Sequence, residues 1–209
     1  MLDAWVLASR NPGKLVELKA LFASEGIDVI DLREAGVSED AVAEDEIESF
    51  ETFEENALAK ARYFSARLPG RSIVADDSGL AVDALGGAPG VRSKRWSGRS
   101  DLRGGALDAA NNALLVSSLM NHRHRTAKFV CAAAWTDGSV EAVARGVVEG
   151  RIVDEPAGTG GFGYDPHVFV DELGMTLAEA SLPEKQRVSH RARAFLALIV
   201  GLRAQGFVA

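Results

Sequence analysis

Apolar positions along the chain follow two rhythms. Short continuous runs at Trp5-Val6-Leu7-Ala8, Val29-Ile30-Asp31-Leu32 and Ser72-Ile73-Val74-Ala75 have the length of buried strands. Between the first two, Leu15, Leu18, Leu21 and Phe22 recur at helical spacing, with Pro12 suited to the first turn and Gly26 to the stop. Phe53, Ala57, Ala61 and Phe64 mark a second helical face, ended by Pro69-Gly70. Leu80-Ala81-Val82 reads as a further short strand before the turn Gly86-Gly87-Ala88-Pro89-Gly90. Residues 101–120 read as a helix. Strands near 126–135 and 140–149, joined by Asp137-Gly138, read as an antiparallel hairpin. A glycine-rich loop at 158–163 precedes the strand Val168-Phe169-Val170. A last helix from about 187 to 204 carries the stripe Val188, Phe195, Leu198, Ile199 and Leu202. No internal repeat or flexible linker interrupts the pattern. Alternating strands and helices followed by a hairpin predict an α/β fold with a mixed sheet.

With 209 residues, the chain suits one domain, or one domain of two lobes sharing a core. A chain of this length buries roughly 70% of its unfolded surface, so it needs no disulfide or metal staple. Its single cysteine, Cys131, lies within the apolar run 129–135 and reads as a small buried hydrophobe, in keeping with a reducing cytoplasm. The net charge of -7 argues against a nucleic-acid polymer as partner, because such affinity rests on neutralising phosphates. A single nucleotide needs only a local cluster of positive groups. Met1-Leu2-Asp3-Ala4-Trp5 is expected to enter structure at once, with neither a signal peptide nor a membrane span.

Four segments carry more polar and glycine content than a core requires. Ser9-Arg10-Asn11-Pro12-Gly13-Lys14 lies between a strand end and a helix start, where unpaired N–H groups and the helix dipole favour an anion. The alternative is a capped turn, with Ser9 or Asn11 as N-cap. Thr52-Phe53-Glu54-Glu55-Asn56 has capping-box spacing, and Glu55 or Glu54 equally supplies a carboxylate to Mg²⁺. Asp76-Asp77-Ser78-Gly79 follows a buried strand directly, and alternation along a strand sends the two acids in different directions. The acidic run from Glu39 to Glu51 reads as a solvated loop. Gly158-Thr159-Gly160-Gly161-Phe162-Gly163-Tyr164-Asp165-Pro166 lets backbone pass close to a ligand, with Phe162 and Tyr164 offering flat faces to a base. Lys185, His190 and Arg191 cluster at the expected start of the last helix, where a bound anion would offset their conflict with its dipole.

Taken in order, these segments resemble the inosine triphosphate pyrophosphatase family, the house-cleaning purine triphosphatases. The likeness runs from Ala8 to Arg191. Its most specific pieces are 75–80, 86–90, 155–166 and Ser189-His190-Arg191. It implies an elongated mixed central sheet flanked by helices, a single two-lobed domain over 1–209 with a nucleotide cleft between the lobes, Mg²⁺ and a cytoplasmic homodimer. It also implies hydrolysis of ITP, dITP and XTP to monophosphate and pyrophosphate. By the same resemblance, Ser9, Arg10, Asn11, Pro12, Gly13 and Lys14 form the triphosphate turn, and Asp77 is proton acceptor and metal ligand. Glu55 is a metal ligand, and Ser78, Phe162, Gly163, Tyr164, Asp165, Lys185, His190 and Arg191 contact substrate. Arg10 departs from the glycine many members carry, and 91–96 is more basic than expected.

An aspartate at its reference pKa of about 3.9 is a weak base, so the expected reaction leans on metal activation of water. Donors from Arg191 or loop N–H groups would favour a 6-oxo purine over adenine. Two rivals predict different behaviour: a related hydrolase with another base pocket, and a nucleotide sensor without turnover.

Overall fold

The computed structural model describes residues 4–208, with backbone alone at 41, 42 and 45. The expectation for Met1 to Asp3 lies outside the described residues. A seven-stranded sheet has the order β2-β1-β3-β4-β5-β6-β7. Its strands are β1 (Trp5–Leu7), β2 (Val29–Asp31), β3 (Ile73–Val82), β4 (Thr126–Thr136), β5 (Glu141–Ile152), β6 (Val168–Val170) and β7 (Met175–Thr176). β1 pairs parallel with β2 and β3, in the register Val6 to Ile30 and Val6 to Ile73. β6 pairs antiparallel with β5 and β7, so the sheet is mixed, as the alternating pattern predicts.

The helices are α1 (Pro12–Ser24), α2 (Ala41–Ile47), α3 (Phe53–Arg67), α4 (Gly104–Leu119), α5 (Leu182–Val188) and α6 (His190–Ala204). They supply the apolar stripes that cover the sheet. Two compact units emerge. The first comprises the described residues up to Asp77, Cys131–Gly146, and those from Arg191 onward. Its core joins Leu18, Leu21 and Phe22 of α1 to Phe195, Leu198, Ile199 and Leu202 of α6, around Trp5 and Trp135. Phe22 meets Phe195 edge-on at 5.5 Å between ring centroids, a favoured aromatic geometry. The second unit comprises Ser78–Val130 and Val147–His190. Its core is built from Leu80, Leu115, Leu119, Phe129, Tyr164, Val168 and Leu177.

Three expectations need correction. Asp76-Asp77-Ser78-Gly79 is not a turn after a strand: residues 73–82 form one strand, held between β1 and β4, so both acids lie mid-strand. The acidic run is not all loop. It contains α2, whose N-cap Asp40 accepts from Ala43 N at 3.2 Å. The last helix is two helices. Ser181 and Glu184 close a capping box that starts α5, and the extended backbone of Ser189 (ψ 150°) breaks it before α6. Lys185 therefore belongs to α5, not to the start of the final helix.

Candidate active site

In the first unit, the turn after β1 is an N-cap. Asn11 Oδ1 accepts from Gly13 N at 2.9 Å and Lys14 N at 3.2 Å, and Pro12 occupies the first helical turn. Ser9 Oγ accepts from Asn11 N at 3.3 Å, which folds the turn back on itself. The Lys14 side chain reaches Asp76, with Nζ 2.9 Å from Oδ2. Arg191, the second residue of α6, lies on the same carboxylate at 3.5 Å and also pairs with Glu17 of α1. All three of Asp76, Lys14 and Arg191 are largely or wholly withdrawn from solvent. Burial pushes the Asp76 carboxyl up, but Lys14, Arg191 and Lys60 outweigh it and hold the group well below the usual carboxylate range. Asp76 thus anchors two cations delivered by distant parts of the chain.

Asp77 points the other way, as strand alternation requires. Its Oδ2 accepts from Asn56 Nδ2 at 2.9 Å, and the same amide holds Phe50 through bonds of 2.9 and 3.3 Å. Burial, and then the neighbouring charge of Glu48, push Asp77 up to about 6, with Lys60 and Lys14 pulling back. Its base strength is therefore well above that of the reference aspartate expected from sequence. Lys60, on the inner side of α3, pairs with Glu48 and donates to the Asp76 carbonyl at 2.9 Å. Burial lowers its pKa, but Glu48, Asp76 and Asp77 outweigh burial and keep it charged.

Glu48 and Lys60 were not singled out by sequence. Glu48 is hidden in an acidic run that reads as solvated surface. Lys60 left a signal: a lysine one position from Ala61, on the apolar side of α3, needs a buried acid. Glu55, the acid expected beside Asp77, is exposed, and its carboxylate accepts from the hydroxyl of the N-cap Thr52 at 2.7 Å while Thr52 Oγ1 accepts from Glu55 N at 3.2 Å. The acid whose charge acts on Asp77 is Glu48. Arg10 is engaged with α2 and the segment before it.

In the second unit, Ser78 continues β3 and is half-buried. The loop at 158–166 is tightly fixed. Asp165 Oδ2 accepts from Phe162 N at 3.0 Å and from Lys185 Nζ at 2.9 Å, a buried ion pair. Asp108 and Asn112 of α4 bind Gly163 N and O, each at 3.0 Å. Tyr164 does not offer its face to a ligand: it is buried in the core, and its hydroxyl donates to the Ser93 carbonyl at 2.8 Å. Phe162 remains half-buried, 5.7 Å from Lys185 Nζ. His190 is buried and stacks on Phe129 at 4.7 Å.

Gly161 has φ +69°, and a Cβ there would overlap Asp165 Oδ2. Gly161→Ala is therefore expected to break the Asp165–Lys185 pair and cost about 2–4 kcal/mol through strain and a disturbed buried charge. Equilibrium denaturation measures it; a variant as stable as the parent would show that the loop relaxes freely.

Fold and site define a mixed-sheet α/β protein with two opposed mid-strand acids, one anchoring a lysine-bearing turn and one set beside a second acid. The chain belongs to the Ham1 family, whose profile matches residues 5–200. It is 50% identical over 202 residues to the dITP/XTP pyrophosphatase of Ralstonia nicotianae, covering 95% of this chain and 96% of that one. Among solved structures, a HAM1 protein from Coxiella burnetii superposes with TM-score 0.80 at 36% identity, covering 98% of this chain and all of that one. The nucleoside-triphosphatase / dITP/XTP pyrophosphatase of Mycobacterium abscessus is 42% identical, with TM-score 0.69 over 96% of this chain and all of that one.

Proposed function

We propose that the protein hydrolyses non-standard purine nucleoside triphosphates (ITP, dITP and XTP) to the monophosphate and pyrophosphate, with Mg²⁺ as cofactor. The observation that carries the reading is Asp77: a mid-strand aspartate whose pKa is raised by burial and then by Glu48, in a chain half-identical to a dITP/XTP pyrophosphatase.

The residues suit a hard cation. Asp77 and Glu48 are like charges acting on one another, a cost that a divalent ion would relieve. Among the described residues no group of three or more His, Cys, Asp or Glu is arranged to hold a metal. Mg²⁺ fits that economy, since it takes one or two protein carboxylates and fills its shell with phosphate oxygens and water. Glu48 replaces Glu55 as the second carboxylate of this reading. When bound, Mg²⁺ neutralises phosphate charge and makes a neighbouring water more acidic.

The chain's own groups do the rest. Backbone N–H groups of the Ser9–Lys14 turn and the Lys14 side chain hold phosphate oxygens, and Asp76 keeps Lys14 in place. Asp77 takes the proton of the water that attacks the α-phosphorus, so the P–O bond to pyrophosphate breaks and pyrophosphate departs. Lys60 offsets charge beside the acids. In the second unit, Lys185 and the backbone of 162–165 bind substrate on a loop that Asp165 and α4 keep rigid. Donors from Arg191 or from loop N–H groups select a 6-oxo purine, because an adenine amino group would leave such donors unpaired. Action as a cytoplasmic homodimer is part of the same proposal. No helix among the described residues is long and apolar enough to cross a membrane.

Product analysis with ITP, dITP, XTP, dATP, dGTP and dTTP, with Mg²⁺ and with chelator, tests the reading. The expected result is monophosphate and pyrophosphate from the first three only, lost with chelator. Orthophosphate, or equal cleavage of all six, would overturn it in favour of a related hydrolase. Binding without product would identify a sensor.

A further inference from the structure

We infer that Arg10 is a positioning residue that sets Glu48 through α2, rather than a contact to the triphosphate it stands beside. Arg10 lies inside the Ser9–Lys14 turn, yet its guanidinium is committed elsewhere. Nε and Nη2 donate to Glu44 Oε2 and Oε1 at 3.2 and 2.9 Å, a bidentate pair. Nη1 donates to the Val37 carbonyl at 3.2 Å, and Nη2 also to the Ser38 carbonyl at 3.0 Å. All three guanidinium nitrogens are thus spent on one strap, residues 37–44.

That strap leads to the acid pair. Glu44 braces the start of α2, where its Oε1 also accepts from Asp40 N at 3.3 Å. Glu48 follows four residues later as the C-cap of the same helix, so it lies one turn along from the residue Arg10 grips. From there Glu48 pairs with Lys60, which in turn holds the carbonyl of Asp76, the residue before Asp77. α2 has only seven residues, too few to be stable without such support. A glycine at position 10 would leave the strap untied, and a lysine would lack the planar fork that reaches Glu44 and two carbonyls together.

The inference rests on the acid-pair reading proposed above, and its test separates the two. In the full chain, Arg10→Gly, Arg10→Lys, Glu44→Gln and the double variant Arg10→Gly/Glu44→Gln are compared with the parent. Three readouts are taken: hydrogen exchange of residues 37–48, Mn²⁺ binding from the signal of the free ion, and dITP kinetics at saturating metal. Arg10→Gly and Glu44→Gln are each expected to speed exchange in 37–48 and to weaken Mn²⁺ binding about tenfold, the usual scale for a residue that orients a ligand. KM for dITP should stay within about twofold, Arg10→Lys should recover only part of the loss, and the double variant should be no worse than either single one. Unchanged exchange overturns the inference whatever the activity. So does a large rise in KM with Mn²⁺ affinity intact, which would make Arg10 a phosphate contact. A parent chain that neither binds Mn²⁺ nor cleaves dITP overturns the acid-pair reading, and the positioning role falls with it even if the strap loosens.

Discussion

Asp77→Asn is expected to lower turnover by about 10³-fold, within the range for loss of a general base, while making the protein more stable at alkaline pH. The second half follows from the sign of the pKa shift. Asp77 titrates at about 6 in the folded chain, above the about 3.9 of an unfolded aspartate. Below about pH 4 both states hold the proton and the shift has no consequence. Between about pH 4 and pH 6 the unfolded chain gives up this proton while the folded chain keeps it, because burial and then Glu48 disfavour the charge, so stability falls across that window and levels off above it. By pH 8 the penalty is about 2–3 kcal/mol. Asparagine keeps the acceptor for Asn56 Nδ2 and has no charge to desolvate. In chelator, the variant should therefore melt about 4–10 °C above the parent at pH 8 and level with it at pH 4. Added Mg²⁺ should stabilise the parent and leave the variant nearly unmoved. A variant that is inactive but no more stable at pH 8 would show that Asp77 is not a strained acid at all. Stability given up at one residue for chemistry is a recurrent pattern in enzymes.

The fold was legible because its core obeys local periodicity. The spacing of Leu18, Leu21 and Phe22, and of Phe195, Leu198, Ile199 and Leu202, specifies the two helices that meet in the first core. The hairpin of β4 and β5 followed from Asp137-Gly138, where Asp137 Oδ1 accepts from Ser139 and Val140 N, each at 2.8 Å. The site was legible only where chemistry leaves a local trace. Two adjacent acids after Ile73-Val74-Ala75 are conspicuous, but the pattern read them as a strand end. Nothing nearby in sequence reveals that Lys14 and Arg191, far apart along the chain, arrive to neutralise Asp76 mid-strand. Glu55 and Glu48 show the opposite hazard. A Thr-x-x-Glu spacing is the same whether the glutamate serves the helix start or a metal, and here its carboxylate lies on the hydroxyl of the N-cap Thr52. Glu48 looks like one more surface charge until α2 and α3 bring it to Lys60. Tyr164 misled for a similar reason, since the carbonyl its hydroxyl reaches belongs to Ser93, 71 residues back.

Asp76→Asn should cost more stability than any other single change at the site. The substitution is nearly isosteric, but it leaves Lys14 and Arg191 facing a neutral amide in a place that water barely reaches. Removing one partner from a buried ion pair costs about 3–5 kcal/mol, chiefly through the charge left behind. For a chain of this length that corresponds to a fall in Tm of about 10 °C. The pH dependence runs opposite to that of Asp77. The folded pKa of Asp76 lies below its unfolded value, so its contribution is complete above about pH 5 and fades as pH falls through the unfolded value toward the folded one. The gap between parent and variant should thus be wide at pH 7 and shrink steadily between pH 5 and pH 3. A gap that stayed constant with pH would assign the loss to packing around Cys131, whose thiol lies 3.9 Å from the Asp76 carboxylate, rather than to charge. A gap that closes as expected would divide the work between the two neighbouring aspartates. On the function proposed above, Asp76 stays ionised to hold Lys14 and Arg191 for an anion, and Asp77, its pKa raised by burial and then by Glu48, is suited to accept a proton.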